Sequence, residues 1–370
     1  MRRVLITGGA GFIGSHLTDL LLQEGWAVRI LDSLVPQVHG EGGRPLYLAA
    51  DAELLRGDVR DAAALRRAVR GVDAVVHLAA AVGVGQSMYR IADYVGVNDL
   101  GTAVLLETLA AHPVERLVVA SSMSVYGEGL ARDRAGRPVE PEERAPGQLE
   151  QGRFELLGAD GAPLEPVPTP ESKRPSLSSV YALGKYSQER LCLVFGRAYR
   201  VPTVALRFFN VFGTRQALSN PYTGVLAIFA ARLLNGRPPL VFEDGRQRRD
   251  FVHVRDVARA CRAALTTPGL AAEVCNVGSG TSRSILEVAR ALAAAMGRDG
   301  IEPEITGRFR AGDIRHCFAD IGHARRTLGF EPAEDFDAGL GELAEWLEGQ
   351  IAVDRVEQAT EELVRRGLVA

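Results

Sequence analysis

The chain has 370 residues, of which 46% are hydrophobic and 24% charged, and a formal net charge of −3. That is ample for two lobes with buried cores, and the mixed charge supplies no basic stripe, so the expected partner is a small molecule rather than nucleic acid or an anionic membrane. Cys192, Cys261, Cys275 and Cys317 have no C-x-x-C spacing and the seven histidines form no H-x-x-x-H pair, which argues against a metal site or a disulfide framework and for a reducing cytoplasm. The run after Met1-Arg2-Arg3 meets glycine within four residues, and no stretch approaches the roughly 18 apolar residues of a membrane span.

In chain order, the first element is the most informative. Arg2 to Leu22 reads as an apolar strand, a turn with Gly8, Gly11 and Gly14, and a helix, the arrangement that seats a dinucleotide pyrophosphate on free N–H groups at a helix start. Gly8 permits the tight turn, Gly11 the approach of the phosphates, and Gly14 close packing of helix on strand. Asp32 follows Gly14 by 18 residues at the end of the run Ala27 to Leu31, where a carboxylate bonds both ribose hydroxyls and repels a 2′-phosphate. The expected cofactor is NAD rather than NADP.

Strand-like runs continue at Leu54 to Gly57, Ala74 to Leu78, Leu117 to Ser121 and Thr203 to Phe208, alternating with amphipathic stretches such as Ala62 to Val69 and Asn98 to Ala111. This rhythm predicts an α/β Rossmann-like doubly wound parallel sheet, with ligands at the carboxyl ends of its strands. Glu128 to Ser176 breaks it, with 8 of the chain's 18 prolines and little apolar periodicity. It reads as an insertion, either a solvated excursion or a lid or subunit-contact arm. From about residue 206 the pattern predicts a smaller α/β substrate-binding lobe to 347, some segments of which return to the NAD-binding domain of residues 1–205. This lobe includes a helix Thr223 to Asn235, a strand Pro239 to Phe242 and a helix Ile285 to Met296. A tail from 348 to 370 places Val353, Val356, Ala359 or Thr360, and Leu363 or Val364 on one helical face, for packing on the body or on a neighbouring subunit.

Tyr181 and Lys185 stand four residues apart, hence on one face of a helix capped by Ser178 or Ser179. Such a pair is either a surface contact or a base, a phenolate favoured by Lys185 and by the positive ring of an oxidised cofactor. Ser122 emerges at the carboxyl edge after Leu117 to Ala120, where it either donates to a sugar oxygen or satisfies the strand end.

Together with Gly57-Asp58-Val59 and His77-Leu78-Ala79-Ala80, these motifs resemble the extended short-chain dehydrogenase/reductase superfamily, in its NAD-dependent nucleotide-sugar epimerase/dehydratase branch. The resemblance covers roughly Met1 to Trp346. It implies that Phe12 and Ile13 join the glycine loop at the cofactor, that Asp58 and Val59 hold the adenine, and that Leu78, Ala79 and Ala80 line the cofactor. It also implies that Ser122, Tyr181 and Lys185 are catalytic, the last two also touching NAD. For a nucleotide-diphosphate sugar it implies contacts from Ser122, Ser124, Asn210, Arg249, Arg310, Asp313 and Cys317. Two arginines suit a diphosphate, although each is equally an ordinary ion-pair partner.

The 4,6-dehydratases of the branch carry an Asp-Glu pair where this chain has Met123-Ser124, and the 3,5-epimerases a nearby cysteine that is absent. A 4-epimerase needs only Ser122, Tyr181, Lys185 and NAD, so inversion at C4 through a 4-keto sugar is the expected reaction. By family alignment the uncharged loop Ala81 to Ser87 borders the hexose and suits a 6-deoxy methyl, and the small Cys317 leaves room for sugar rotation or bulkier substituents; both features are as compatible with plain packing. The insertion ending at Pro168 to Lys173 and the run Ser178 to Leu183 resemble the dTDP-L-rhamnose branch, so the resemblance implies a dTDP- or UDP-linked 6-deoxyhexose such as dTDP-L-rhamnose. The alternatives are a nucleotide-sugar dehydrogenase or 4-ketoreductase, and a non-catalytic NAD sensor. Asn98 to Ala111 and Val180 to Phe195 correspond to helices that pair subunits in the superfamily, so a homodimer is expected.

Overall fold

The computed structural model describes residues 2–218, 220, 222, 224–310, 312–350 and 354–369. Its central layer is a parallel sheet of seven strands, in the spatial order Ala272–Val277, Thr203–Phe208, Arg116–Ser122, Ala74–His77, Arg3–Thr7, Ala27–Asp32, Glu53–Arg56. Both faces are covered, which is why the strands read as continuous apolar runs rather than as alternations. Successive side chains enter opposite cores: Val4, Ile6, Val76, Val118 and Leu206 pack on one side, Leu5, Val75, Val119 and Ala205 on the other. The order reverses between Arg3–Thr7 and Ala74–His77, and the crevice beyond their carboxyl ends is the place for a ligand.

Six of the seven strands are those expected from sequence. The seventh, Ala272–Val277, comes from the span assigned mainly to the second lobe, as does helix Val254–Thr266, which packs on Phe12–Gln23. Val257, Cys261 and Ala264 recur at helical spacing on its buried face.

The second lobe joins Asn210–Phe212, Arg248–His253, Ser282–Ser284 and His316–Cys317 into a small mixed sheet. Helices Val225–Leu234, Ile285–Ala295 and Phe336–Glu348 enclose a core around Phe229, Leu292 and Leu343. Helix Ile285–Ala295 starts on a capping box between Ser284 and Glu287. Thr223, the expected start of the first of these helices, lies outside the described residues. The expected strand Pro239 to Phe242 shortens to Leu240–Val241, paired with Glu304–Ile305.

The insertion corrects the reading of a solvated excursion. Residues 128–176 carry an antiparallel sheet of Ala131–Arg132, Pro138–Val139 and Glu165–Pro166 with a small core of Ala131, Leu156 and Leu164. Buried charges tie it to the second lobe. Arg144 lies 3.3 Å from Glu128 and 2.8 Å from Glu243, and the fully buried Arg315 reaches Glu243 at 2.9 Å, Asp244 at 2.6 Å and Glu155 at 2.5 Å. None of these pairings has a sequence signature, because their members are up to 160 residues apart.

The expected helix Asn98 to Ala111 begins as a π-helical turn, Gly96–Leu100, and continues as α-helix Gly101–Ala111. The wider turn carries Asn98, whose amide bonds both backbone groups of Ala81, at 2.8 and 3.1 Å. The tail helix Val356–Arg365 packs on the body through Val356, Ala359 and Leu363; Val353 lies outside the described residues.

Candidate active site

The glycine loop has the shape its sequence predicts. Gly8 leaves its strand at φ +71°, and a Cβ there would lie 2.8 Å from the Ala79 nitrogen, in the next strand's loop. A Cβ on Gly14 would come within 2.5 Å of Gly9 Cα, whereas one on Gly11 would meet only the Gly8 carbonyl, at 3.3 Å. Gly11 is the N-cap of helix Phe12–Gln23 and offers no side-chain cap, so the first turn, with Phe12 and Ile13, presents its N–H groups to an anion. The buried Asp32 accepts from Ala10 N at 3.1 Å and Leu34 N at 2.9 Å, which fixes its carboxylate at the end of its strand beside that turn. These residues fit a dinucleotide. Leu78, Ala79 and Ala80 are half-buried at the neighbouring strand end.

The adenine end is less open than expected. Asp58 is held by Arg60 at 2.7 Å, whose hydrogen bonds keep the carboxyl below its usual range, and the Val59 side chain is buried in the core against Gly101.

Helix Val180–Tyr199 is capped by Ser179, which accepts from Ala182 N at 3.1 Å. The Tyr181 N–H donates to Ser87 Oγ at 3.1 Å, joining the helix to the loop Ala81 to Ser87. The Ser122 hydroxyl lies within reach of both the Tyr181 phenol, with which it hydrogen-bonds, and Ser124 Oγ, at 3.2 Å. Burial pushes the Tyr181 phenol up from 10.0, and the Ser122 bond opposes that push. Burial thus opposes the phenolate that the Tyr-Lys spacing suggested, and the Lys185 ammonium donates to Gln188 Oε1 at 2.8 Å. Burial lowers Lys185 from 10.5 to about 8.

Below Lys185 runs a buried polar chain that spacing did not reveal. Gln188 Nε2 donates to Thr102 Oγ1 at 3.0 Å and lies 3.2 Å from His77 Nε2; His77 Nδ1 lies 2.7 Å from Thr7 Oγ1. Burial, with the charge of Lys185, drives the His77 ring down to about 3, so it stays neutral and acts as a hydrogen-bonding strut. The signal available in sequence was a polar residue on each of several otherwise apolar elements. Which polar residues meet is a matter of the fold.

Between the two lobes lies a cleft of about 280 Å³ lined by Ser124, Asn210, Arg249, Arg310 and Asp313. Three backbone carbonyls, of Arg248, Ile314 and Arg315, accept from the buried Arg249 guanidinium and hold it rigid, and Asp313 Oδ1 stands 3.5 Å away. Arg310 lies over the Phe242 ring at 4.1 Å, with its Nε 3.8 Å from Asp313 Oδ2. Arg310 Nε and Asn210 Oδ1 are buried and lack hydrogen-bond partners among the described residues, a state in which a polar group is costly unless a ligand completes it. Cys317 is a correction: it is 1% exposed, packed with Met123, Val125 and Ile314 and 3.9 Å from Thr169 Oγ1, and it does not line the cleft.

The insertion shapes this cleft from behind. Glu128 accepts from the N–H groups of Arg315 and His316, and Arg144 donates to the Asp313 carbonyl at 2.9 Å, so residues 313–316, which anchor Arg249, are themselves anchored by the insertion.

A pyrophosphate cradle at the switch point of a parallel sheet, with a helical Tyr-Lys pair on the same edge and a second lobe closing over it, defines a dinucleotide-dependent protein of the short-chain dehydrogenase/reductase type. The sequence matches the model of the NAD dependent epimerase/dehydratase family over residues 4–146 and 157–278, and the chain belongs to that family; its cofactor is NAD. It is 35% identical to a dTDP-L-rhamnose 4-epimerase of Burkholderia thailandensis over 94% of this chain and 95% of the relative. The UDP-glucose 4-epimerase of Thermotoga maritima, solved with UDP-glucose, superposes with a TM-score of 0.76 at 30% identity, covering 94% of this chain and 98% of that one. The Thermus thermophilus UDP-glucose 4-epimerase, solved with NAD, gives 0.74 at 31% identity, with 94% and 100% covered.

Proposed function

We propose that the chain is an NAD-dependent nucleotide-sugar 4-epimerase acting on a dTDP- or UDP-linked 6-deoxyhexose such as dTDP-L-rhamnose. The observation that carries this reading is the chemistry beside Ser122. Met123 and Ser124 line the cleft where a dehydratase needs an acid and a base, and Asp313, facing two arginines, is the one carboxylate among its described lining residues. The set suits removal and return of one proton and no loss of water.

Tyr181 takes the proton of the C4 hydroxyl and later gives it back, while Ser122 holds that oxygen in place. NAD, held by Gly8, Phe12, Ile13 and Asp32, would supply the chemistry the side chains lack, a reversible hydride store for C4 of the sugar. To act as base the buried phenol needs a positive charge beside it, which must come from Lys185, a donor to Gln188 in this structure, or from an oxidised nicotinamide ring. Asn98 fixes the Ala81 backbone. Arg249 and Arg310 grip the diphosphate, which supplies binding energy while leaving the hexose free to turn. Gly8, Phe12, Ile13 and Asp32 retain the cofactor between turnovers. The apolar surroundings of Gly85 and Met88 suit a methyl group at C6 better than a carboxylate.

The protein is proposed to work in the cytoplasm, consistent with four free, buried cysteines. The homodimer is supported by the apolar residues left exposed on the helix Val180–Tyr199.

The Tyr181→Phe variant tests the assignment. Native mass spectrometry should show NAD retained, and C4-epimer analysis of dTDP- and UDP-sugars should show no inversion; a variant that still turns over refutes Tyr181 as the base. Stoichiometric NADH release by the wild type would instead identify a net dehydrogenase.

A further inference from the structure

The tail beyond residue 354 is absent from the catalytic reading above, yet it forms one wall of the cleft. Val356, Ala359, Thr360, Leu363 and Leu368 line the same space as Arg249 and Arg310. Leu363 lies against Gly85, where a Cβ would come 3.2 Å from its Cδ1, and clusters with Phe242 and Val369. Val369 forms an antiparallel bridge with Arg310, the residue whose Nε has no hydrogen-bond partner among the described residues. The other end is tied by ions: Asp354 to Arg232 and Arg237 at 3.5 and 3.4 Å, and Glu357 to the same pair at 3.4 and 3.1 Å. Arg366 covers the Tyr89 ring at 4.4 Å, and Tyr89 meets Tyr222 of the cleft, oxygen to oxygen, at 2.6 Å.

With the tail in this position the cleft measures about 280 Å³, below the roughly 300–1,000 Å³ typical of small-molecule sites. A base, a ribose, two phosphates and a hexose need the upper part of that range. The attachments are few: three of the four ion pairs have an exposed member while Arg232–Asp354 is buried, a single bridge holds the far end, and the helix of 10 residues is marginal without its packing.

We propose that residues 354–369 are a strap that opens to admit the nucleotide sugar and closes on it, with Leu363 as a specificity-determining residue that presents an apolar wall on the sugar side, beside Gly85. The substrate class rests on the epimerase reading. Arg310 couples the two, because the residue that reaches for the diphosphate also carries the bridge to Val369. Closure excludes water from the cleft and disfavours a charged substituent at C6.

Two measurements test this. Trypsin cleavage at the exposed Arg365 and Arg366 should slow at least about fivefold when dTDP or UDP is added to the NAD-loaded protein, since a ligand that favours the closed strap protects it. Truncation after Gln350 should raise KM for the dTDP-6-deoxyhexose by about tenfold with NAD content unchanged, and Leu363→Ser should narrow the preference for that substrate over a UDP-hexuronate by about fivefold. If the truncated chain fails to fold, Leu363→Ser carries the kinetic arm. Active wild-type enzyme whose cleavage ignores both nucleotides and whose substrate preference survives Leu363→Ser overturns the strap while the epimerase stands. Nucleotide protection without C4 inversion of any sugar overturns the epimerase and leaves the strap.

Discussion

Lys185 shows how position alters a side chain's chemistry. Its ammonium sits on a helix one turn beyond Tyr181, almost without solvent, and burial brings its pKa from 10.5 to about 8. Because the folded value lies below the ordinary one, the charge is complete well below pH 8 and is lost as pH rises through it. A mechanism in which that charge supports the Tyr181 phenolate therefore predicts a turnover rate that falls on the alkaline side from about pH 8. A Gln188→Leu variant, which removes the bond to Nζ, should move that limb to lower pH, because the charged form loses its acceptor. A pH–kcat profile of both proteins checks this, and coincident limbs would remove Lys185 from the relay. The Tyr-Lys spacing was legible in sequence; the partner that Lys185 takes was not, since Gln188 is one turn away on a helix whose polar positions look alike until the sheet buries one side.

Among the elements, the insertion 128–176 changes most between sequence and structure. Its prolines and charges read as solvent-exposed, and its local pattern carries no core of useful size. What holds it is a set of charges shared with the second lobe, centred on Arg315, whose side chain is fully buried among Glu155, Glu243 and Asp244. Removing one member of a buried ionic group leaves the others uncompensated, so Arg315→Met should cost about 3–5 kcal/mol, read as a lower urea midpoint. Because Arg249 is anchored on the Arg315 and Ile314 carbonyls, KM for the nucleotide sugar should rise as well. A variant of unchanged stability would show that the network adds nothing to folding. Helix Val254–Thr266 and strand Ala272–Val277 make a similar point. Their type was readable from apolar period, but their place on the first sheet's edge depends on which surface remained unpaired.

At the scale of the whole molecule, acid should unlock the contacts between parts. Glu155 joins the insertion to His316 and Arg315, and Glu334 bridges Arg255 and Arg259 of helix Val254–Thr266. Hydrogen bonds from these partners hold both carboxyls at about 2, against 4.5 in the unfolded chain. Their folded values are depressed, so the stabilisation is complete above about 4.5 and is lost as pH falls from there towards 2. Urea midpoints should drop steeply over that window, and Glu334→Gln should flatten part of the drop; a midpoint insensitive to pH between 5 and 3 would contradict it. The proposed homodimer belongs to this scale too. Leu183 and Val194 are each 53% exposed and, 11 residues apart, lie on one side of helix Val180–Tyr199. Val194→Glu should convert a sedimenting dimer to monomer; a wild-type monomer would refute the pairing.

The sequence by itself determined the parallel sheet, the glycine turn with Asp32 beside it, the strand end at Ser122 and the one-turn spacing of Tyr181 and Lys185, because each is written in local terms: an apolar period, a turn that excludes Cβ, or a helical spacing. Tertiary structure alone decided that Cys317 is core rather than cleft, that Arg315 unites the insertion with the substrate lobe, that His77 and Gln188 stand beneath Lys185, and that the tail covers the cleft. Those outcomes depend on which residues, far apart in the chain, share a buried volume, and no local pattern encodes the partner that a desolvated charge or an apolar face will find.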